Sequence, residues 1–219
     1  MRRRQFLTLS AQAVGGVLVY SLTREPLLIS SRAQSVKVPL RFFKESEALD
    51  VAAAAARIMP SDETGPGASE AGVVIYIDRQ LASAYGRDRY RYTQAPFEAG
   101  PPELGWQGKE TPRDIYRAGL PLIAGIDQLS VSDQDAKLRG IETTAFFSLL
   151  RTHTIEGMFC DPMHGGNIDM VGWQMIGFPG PRMSYFRDVD QHNGEPYRPK
   201  PVSLEQSIGK RWRPSEDES

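Results

Sequence analysis

Four side chains within a short stretch could do chemistry together: His153, Glu156, Asp161 and His164. Imidazoles and carboxylates bind zinc and related ions. A free-standing metal-dependent enzyme or ligand-binding domain would be built from Glu156, Asp161 and His164, with His153 nearby. Their spacing matches no established pattern; H-E-x-x-H, for instance, sets two imidazoles one helical turn apart. A loop histidine and two carboxylates that cap turns account for the same residues. Cys160 and His164 stand four positions apart across Pro162, a reach that suits a nucleophile and its base. No hydrolase pattern surrounds them, and Gly-x-Ser-x-Gly is absent.

These residues belong to one segment, Thr154 to Gly180, which reads TIEGMFCDPMHGGNIDMVGWQMIGFPG. It has too much glycine for a single regular element and too much Met, Phe and Trp for an idle surface loop. The composition predicts a backbone folded tightly on itself, with large apolar groups packed at glycine-lined contacts. Asp161-Pro162 and Gly165-Gly166-Asn167 read as tight turns. Asn167 then opens a short helix carrying Trp173 and Met175. Trp173 is either a core residue or an aromatic anchor for a partner. Cys160, the only cysteine, is either a buried thiol or half of an intermolecular disulfide.

The elements that position this segment read as helices. Leu49, Ala52, Ala53, Ala56 and Met59 mark one face of a helix over about 42–59, stopped by Pro60. A second helix spans about 68–85 with Val74, Ile77, Leu81 and Ala84 inward, although Val73-Val74-Ile75 also suits a strand. Gly86 sits where a C-terminal glycine cap belongs. Residues 87–110 form a long loop rich in proline and glycine that carries Phe97 and Trp106. Thr111-Pro112-Arg113-Asp114 starts a third helix, with Ile115, Leu122, Ile126 and Leu129 inward and Pro121 kinking or dividing it. Ser132 caps a fourth, and a fifth runs over about 143–158 with Phe146, Leu149, Leu150 and His153 buried. The fold class is mainly α: an irregular helical domain over 34–181 with long ordered loops. Its C-terminal arm, 182–219, is extended and proline-rich and ends in a frayed acidic stretch.

The first 33 residues stand apart. Arg3-Arg4 is followed by Gln5, Phe6 and Leu7, then by a mildly apolar stretch and Ser31-Arg32-Ala33. Arg3, Arg4, Phe6 and Leu7 make this a twin-arginine export signal, with cleavage expected after Ala33. The other reading is an uncleaved amphipathic or membrane-anchor helix, but the apolar stretch falls short of the roughly 20 residues that span a bilayer. Removing residues 1–33 takes five arginines and one glutamate from totals of 26 basic and 27 acidic residues, so the net charge moves from −1 to about −5. That balance suits a soluble exported protein and argues against nucleic acid, even though Arg87, Arg89 and Arg91 interleave with Tyr90 and Tyr92. The twin-arginine route carries folded cargo, often loaded with a cofactor. Yet a lone cysteine cannot hold an iron–sulfur cluster or attach haem through C-x-x-C-H, and no dinucleotide fingerprint follows a strand. A signal for folded cargo on a chain without cofactor motifs suggests service to a second, cofactor-bearing chain.

Several pieces carry a resemblance to a known family. In order they are Ile58-Met59-Pro60 with Gly67-Ala68 and Ala71-Gly72-Val73; Tyr76-Ile77-Asp78; Thr154-x-Glu156-Gly157-Met158-Phe159-x-Asp161-Pro162; Gly165-Gly166-Asn167; and Gly172-Trp173, Ile176-Gly177 and Pro179-Gly180. Over about 42–181 the chain resembles the small third subunit of membrane-associated gluconate 2-dehydrogenase and related FAD-dependent sugar dehydrogenases. His164 departs from the aromatic residue that relatives commonly carry there. The resemblance implies a non-catalytic subunit without a cofactor of its own. Its partners would be a large FAD-bearing flavoprotein of the glucose–methanol–choline type and a multihaem cytochrome c. The complex would sit in the periplasm and meet the membrane only through those partners. The small subunit would carry the export signal for the pair and support maturation of the large one. Phe97, Trp106, Phe159, Cys160, His164, Asn167 and Trp173 are the expected subunit contacts, with Cys160 the candidate for an intersubunit disulfide.

Overall fold

The computed structural model describes residues 26–30, 35–90, 95–98, 100–104 and 108–211. Arg3, Arg4, Phe6, Leu7, the expected cleavage point after Ala33, Trp106 and the acidic terminus lie outside them. Among the described residues, eight α-helices follow a two-stranded antiparallel sheet: α1 Glu45–Ile58, α2 Val73–Ala82, α3 Pro112–Ile123, α4 Val131–Arg139, α5 Ala145–Phe159, α6 Val171–Ile176, α7 Phe186–Gln191 and α8 Leu204–Arg211. The fold is mainly α, as the sequence leads one to expect. Before the first helix, β2, Ser35–Pro39, pairs antiparallel with β1, Pro26–Ser30. None of the described helices is long and apolar enough to cross a membrane.

The core forms where α1, α2, α3 and α5 meet, with α4 against α1. In α2 the buried set includes Val74, Ile77 and Leu81, so Val73-Val74-Ile75 is helical, and the helix stops short of Ala84 and Gly86. In α1 the inward residues are Ala48, Val51, Ala54 and Ala55, and Leu49 is exposed. The expected face was therefore turned by about one residue. In an alanine-rich helix neighbouring faces differ little in hydrophobicity, and the ends settle the phase. Glu47 pairs with Arg117 at 2.9 Å and Arg57 with Asp135 at 2.7 Å, which keeps those positions at the surface. Buried Asp50 reaches the turn before α4, accepting the Asp127 N–H at 3.4 Å, and burial raises its pKa.

Helix α3 begins at the expected cap: the Thr111 hydroxyl accepts the Asp114 N–H, and the Asp114 carboxylate accepts the Thr111 N–H at 3.0 Å. It ends at Ile123, two residues past Pro121, and Gly125 adopts a left-handed turn. The expected inward set Ile115, Leu122, Ile126 and Leu129 holds only for Ile126 and partly for Ile115; Leu122 and Leu129 are exposed. The buried face is instead Tyr116, Gly119, Leu120 and Ile123. Gly119 explains the shift, because a Cβ there would lie 2.0 Å from Phe146 Cγ. The phenyl ring of α5 fills the space a side chain would take, so the true contact face contains a residue that reads as apolar-neutral. The cap of α4 is Ser130 rather than Ser132, its hydroxyl accepting the Asp133 N–H at 3.3 Å. Past Gly180 the arm is not wholly extended, since it contains α7 and α8 and folds back on the body. Val202 donates to the Pro179 carbonyl at 3.1 Å, and Leu204 to Asp161 Oδ2 at 2.7 Å.

Candidate functional site

The segment after α5 is organised by the end of that helix. The last carbonyls of any helix lack partners within it. Here three carbonyls at this end are met by the loop and the short helix that follow. The Asn167 N–H donates to Gly157 O at 2.8 Å, the Asn167 amide Nδ2 to Cys160 O at 2.8 Å, and the Trp173 indole Nε1 to Phe159 O at 2.7 Å. Asn167 Oδ1 accepts the Gly172 N–H at 2.8 Å, fixing the start of α6. Asn167 takes a left-handed backbone, φ 47° and ψ 44°, which asparagine tolerates better than most residues. Gly166 and Gly172 allow the close approach: a Cβ would lie 2.2 Å from Gly157 O at the first and 2.1 Å from Met158 O at the second. The expected short helix with Trp173 and Met175 is α6.

The chemistry-bearing side chains disperse into this scaffold. Glu156 Oε2 accepts the Tyr76 hydroxyl at 3.0 Å. Asp161 accepts the Met163 N–H at 3.1 Å and the Leu204 N–H, capping two turns at once. His164 is exposed. Glu156, Asp161 and His164 do not converge, and no cluster of His, Cys, Asp or Glu suited to a metal ion occurs among the described residues. Each carboxylate is aimed at a donor of its own chain, which is the reading of Glu156 and Asp161 as structural acceptors rather than the alternative of a metal-dependent site. The Cys160 thiol is half-buried and donates weakly to Gly157 O at 3.6 Å. Burial pushes its pKa up to about 11, so it is a thiol rather than a thiolate at neutral pH.

His153 is fully buried between two phenols. Its Nε2 lies 2.9 Å from Tyr85 Oη and its Nδ1 3.0 Å from Tyr116 Oη, with the Tyr116 ring stacked on the imidazole. A neutral imidazole has one donor and one acceptor, so one phenol donates and the other accepts. Burial lowers the histidine pKa to about 4 and raises those of Tyr85, to about 12, and Tyr116. The cluster is a neutral polar tie joining α3, α5 and the turn after α2, not an acid–base pair working near pH 7. A pH dependence follows. The folded pKa lies below the unfolded value of about 6.5, so the unfolded chain binds the extra proton. Stability contributed by the neutral ring is present above pH 6.5 and is lost as pH falls towards 4, on the order of 3 kcal/mol in all. Urea midpoints measured from pH 7 to pH 4 should fall in the wild type, and His153→Gln should flatten that fall.

Asp78 is the residue that chemical patterns pass over. It is buried within α2, yet its carboxylate accepts the Arg41 N–H at 2.7 Å and the Phe42 and Phe43 N–H groups at 2.9 Å each. It fastens the segment entering α1 to the core. The available sign was a carboxylate inside an otherwise apolar stretch, Val73-Val74-Ile75-Tyr76-Ile77-Asp78. Nothing in the sequence marked Tyr85 or Tyr116 as partners of His153.

Over residues 45–180 the sequence matches the family described as Gluconate 2-dehydrogenase subunit 3. The chain belongs to this family. No curated protein and no solved structure matches it. The family's description is of a subunit of a dehydrogenase, and the match spans the helical body from the first residue of α1 to Gly180. The arm with α7 and α8 lies beyond it.

Of the expected contact residues, Phe97 and His164 are exposed, and Phe159 and Cys160 are half-buried. Asn167 and Trp173 are buried with their polar atoms bonded to the chain's own backbone, so they shape the subunit 3 body from within.

Proposed function

We propose that this chain is the non-catalytic small subunit of a periplasmic FAD-dependent dehydrogenase of sugars or alcohols. In this reading the FAD belongs to a large flavoprotein of the glucose–methanol–choline type, and haem c to a multihaem cytochrome that passes electrons to the membrane. The chain supports folding and stability of the flavoprotein. Its leader, through Arg3, Arg4, Phe6 and Leu7, exports the pair by the twin-arginine route. The family match over the helical body is the observation that supports this most. The internal use of Glu156, Asp161 and His153 agrees with it, because those side chains serve the chain's own architecture.

Producing the flavoprotein with and without this chain tests the reading. Dehydrogenase activity is expected in the periplasm only when the chain is present. With Arg3 and Arg4 both replaced by lysine, the active flavoprotein should stay in the cytoplasm. Full periplasmic activity in the absence of the chain would contradict the proposal.

A further inference from the structure

Three partly buried arginines each bond an acceptor. Arg57 pairs with Asp135, Arg182 with Asp188, and Arg113 Nε donates to the Leu81 carbonyl at 2.5 Å. Arg79 departs from them. It is partly buried in the last turn of α2, yet its guanidinium makes no hydrogen bond or ion pair among the described residues. A guanidinium has five donors and accepts nothing, so this one is left to solvent on a partly covered surface. The fold nonetheless makes room for it. The group lies against the turn after α5 at Gly165, where φ is 99° and a Cβ would lie 2.9 Å from Arg79 Cζ. The adjacent carboxylate, Asp78, is committed to the N–H groups of Arg41, Phe42 and Phe43. Arg41 is exposed, and its guanidinium also lacks an acceptor among the described residues. Burial first, and then the like charge of Arg41, push the Arg79 pKa down, while Asp78 pulls the other way.

We infer that Arg79 and Arg41 form a docking site for carboxylates, and that its occupant is this chain's own acidic run, Glu216-Asp217-Glu218; the inference does not depend on the function proposed above. Charge is the first argument. Two guanidiniums that repel each other are answered by three consecutive carboxylates, and arginine–carboxylate bonds are charge-assisted and often bidentate. Attachment is the second. Leu204, the first residue of α8, donates to Asp161 Oδ2 at 2.7 Å, and Asp161 opens the turn that Gly165 closes. The arm leading to the acidic run is therefore fastened to the turn on which Arg79 lies. Reach is the third. Residues 212–219 lie outside the described residues. Seven extended residues, 212 to 218, cover about 24 Å. Helix α8 is about 12 Å long, and the single 3₁₀ turn from Asp161 to Gly165 about 8 Å. The run is thus long enough to return to Gly165. A carboxylate from another chain has the same chemistry, but this run is held near the site by its own backbone, at the high effective concentration of an intramolecular contact. Lys210, Arg211 and Arg213 are its rival partners within the arm.

The test is paramagnetic broadening of amide signals in the full chain carrying Cys160→Ser and Ser219→Cys, with a nitroxide attached at position 219. At low ionic strength the Arg41 and Gly165 signals should be lost to broadening. They should return in about 1 M salt, where the screening length falls to about 3 Å. Glu216→Gln, Asp217→Asn and Glu218→Gln together should restore both signals, as should Arg41→Gln with Arg79→Gln. The triple change lies outside the described fold, so it decides the question even if the arginine pair is needed for folding. Sharp signals before any of these changes, or broadening that survives loss of the three carboxylates, would overturn the inference. Broadening that survives Arg41→Gln with Arg79→Gln would place the run on other cations and overturn it too. Broadening of an isotope-labelled chain by a separate nitroxide-bearing chain would assign the run to a second copy instead. Inorganic phosphate supplies the remaining arm. If phosphate shifts the Arg79 Nε–H resonance while the nitroxide leaves Gly165 sharp, the pair is a site for a free oxyanion and the tail is not its occupant.

Discussion

Asn167→Ala is expected to cost about 4 kcal/mol. Two buried side-chain bonds vanish, to Cys160 O and from the Gly172 N–H. Each leaves a partner short of a bond, at about 1–3 kcal/mol apiece. A left-handed backbone at alanine adds about 1–2 kcal/mol. Against a total stability of roughly 5–15 kcal/mol for a domain, that is a large share. Urea unfolding measures it, with the midpoint lowered and the slope unchanged. Two further variants apportion the effect. Asn167→Gly keeps the backbone free and should be milder than alanine by about 1 kcal/mol. Asn167→Asp keeps the acceptor for Gly172 and turns a carboxylate oxygen towards the Cys160 carbonyl, so it should remain strongly destabilised. Stability equal to wild type in Asn167→Ala would remove the helix-capping account of this segment.

Asp78→Ala is expected to be as severe, on the order of 4 kcal/mol, because three backbone N–H groups lose a charged acceptor together. Asp78→Asn separates charge from geometry. Its oxygen can still accept Phe42 and Phe43, but its amide then faces the Arg41 N–H, donor against donor. An intermediate loss is predicted, with hydrogen exchange accelerated first at Arg41. If exchange at residues 41–43 were unchanged in Asp78→Ala, the carboxylate would not be what fastens this segment.

How much of this was legible in the sequence follows from what each signal depends on. Caps and breakers act locally, so Thr111, Pro112, Asp114 and Pro60 placed helix ends well. The glycine-rich segment announced close packing, and Gly166 and Gly172 sit against backbone carbonyls of α5. The inward faces of α1 and α3 were read less well. Alanine gives a weak periodic contrast, and the decisive contact of α3 is made at Gly119, where Phe146 supplies the missing bulk. The pairing of His153 with Tyr85 and Tyr116 joins residues 68 and 37 positions apart. No local pattern encodes such a meeting; it exists only once three elements have packed. The titratable residues around 156–164 looked like a site because composition records which groups are present, not where they point. Glu156 points to Tyr76 and Asp161 to the arm.

The central claim is that this chain supplies shape and surface while its ionisable groups perform no step of the reaction. The direct measurement is steady-state turnover of the purified complex carrying Glu156→Gln and His164→Ala together. Glutamine keeps an oxygen for the Tyr76 hydroxyl, and His164 is exposed, so the fold should survive both changes. The account predicts kcat within about twofold of wild type, since loss of a general acid or base would cost about a hundredfold or more. A hundredfold fall in kcat, with the complex intact and its flavin in place, would contradict it.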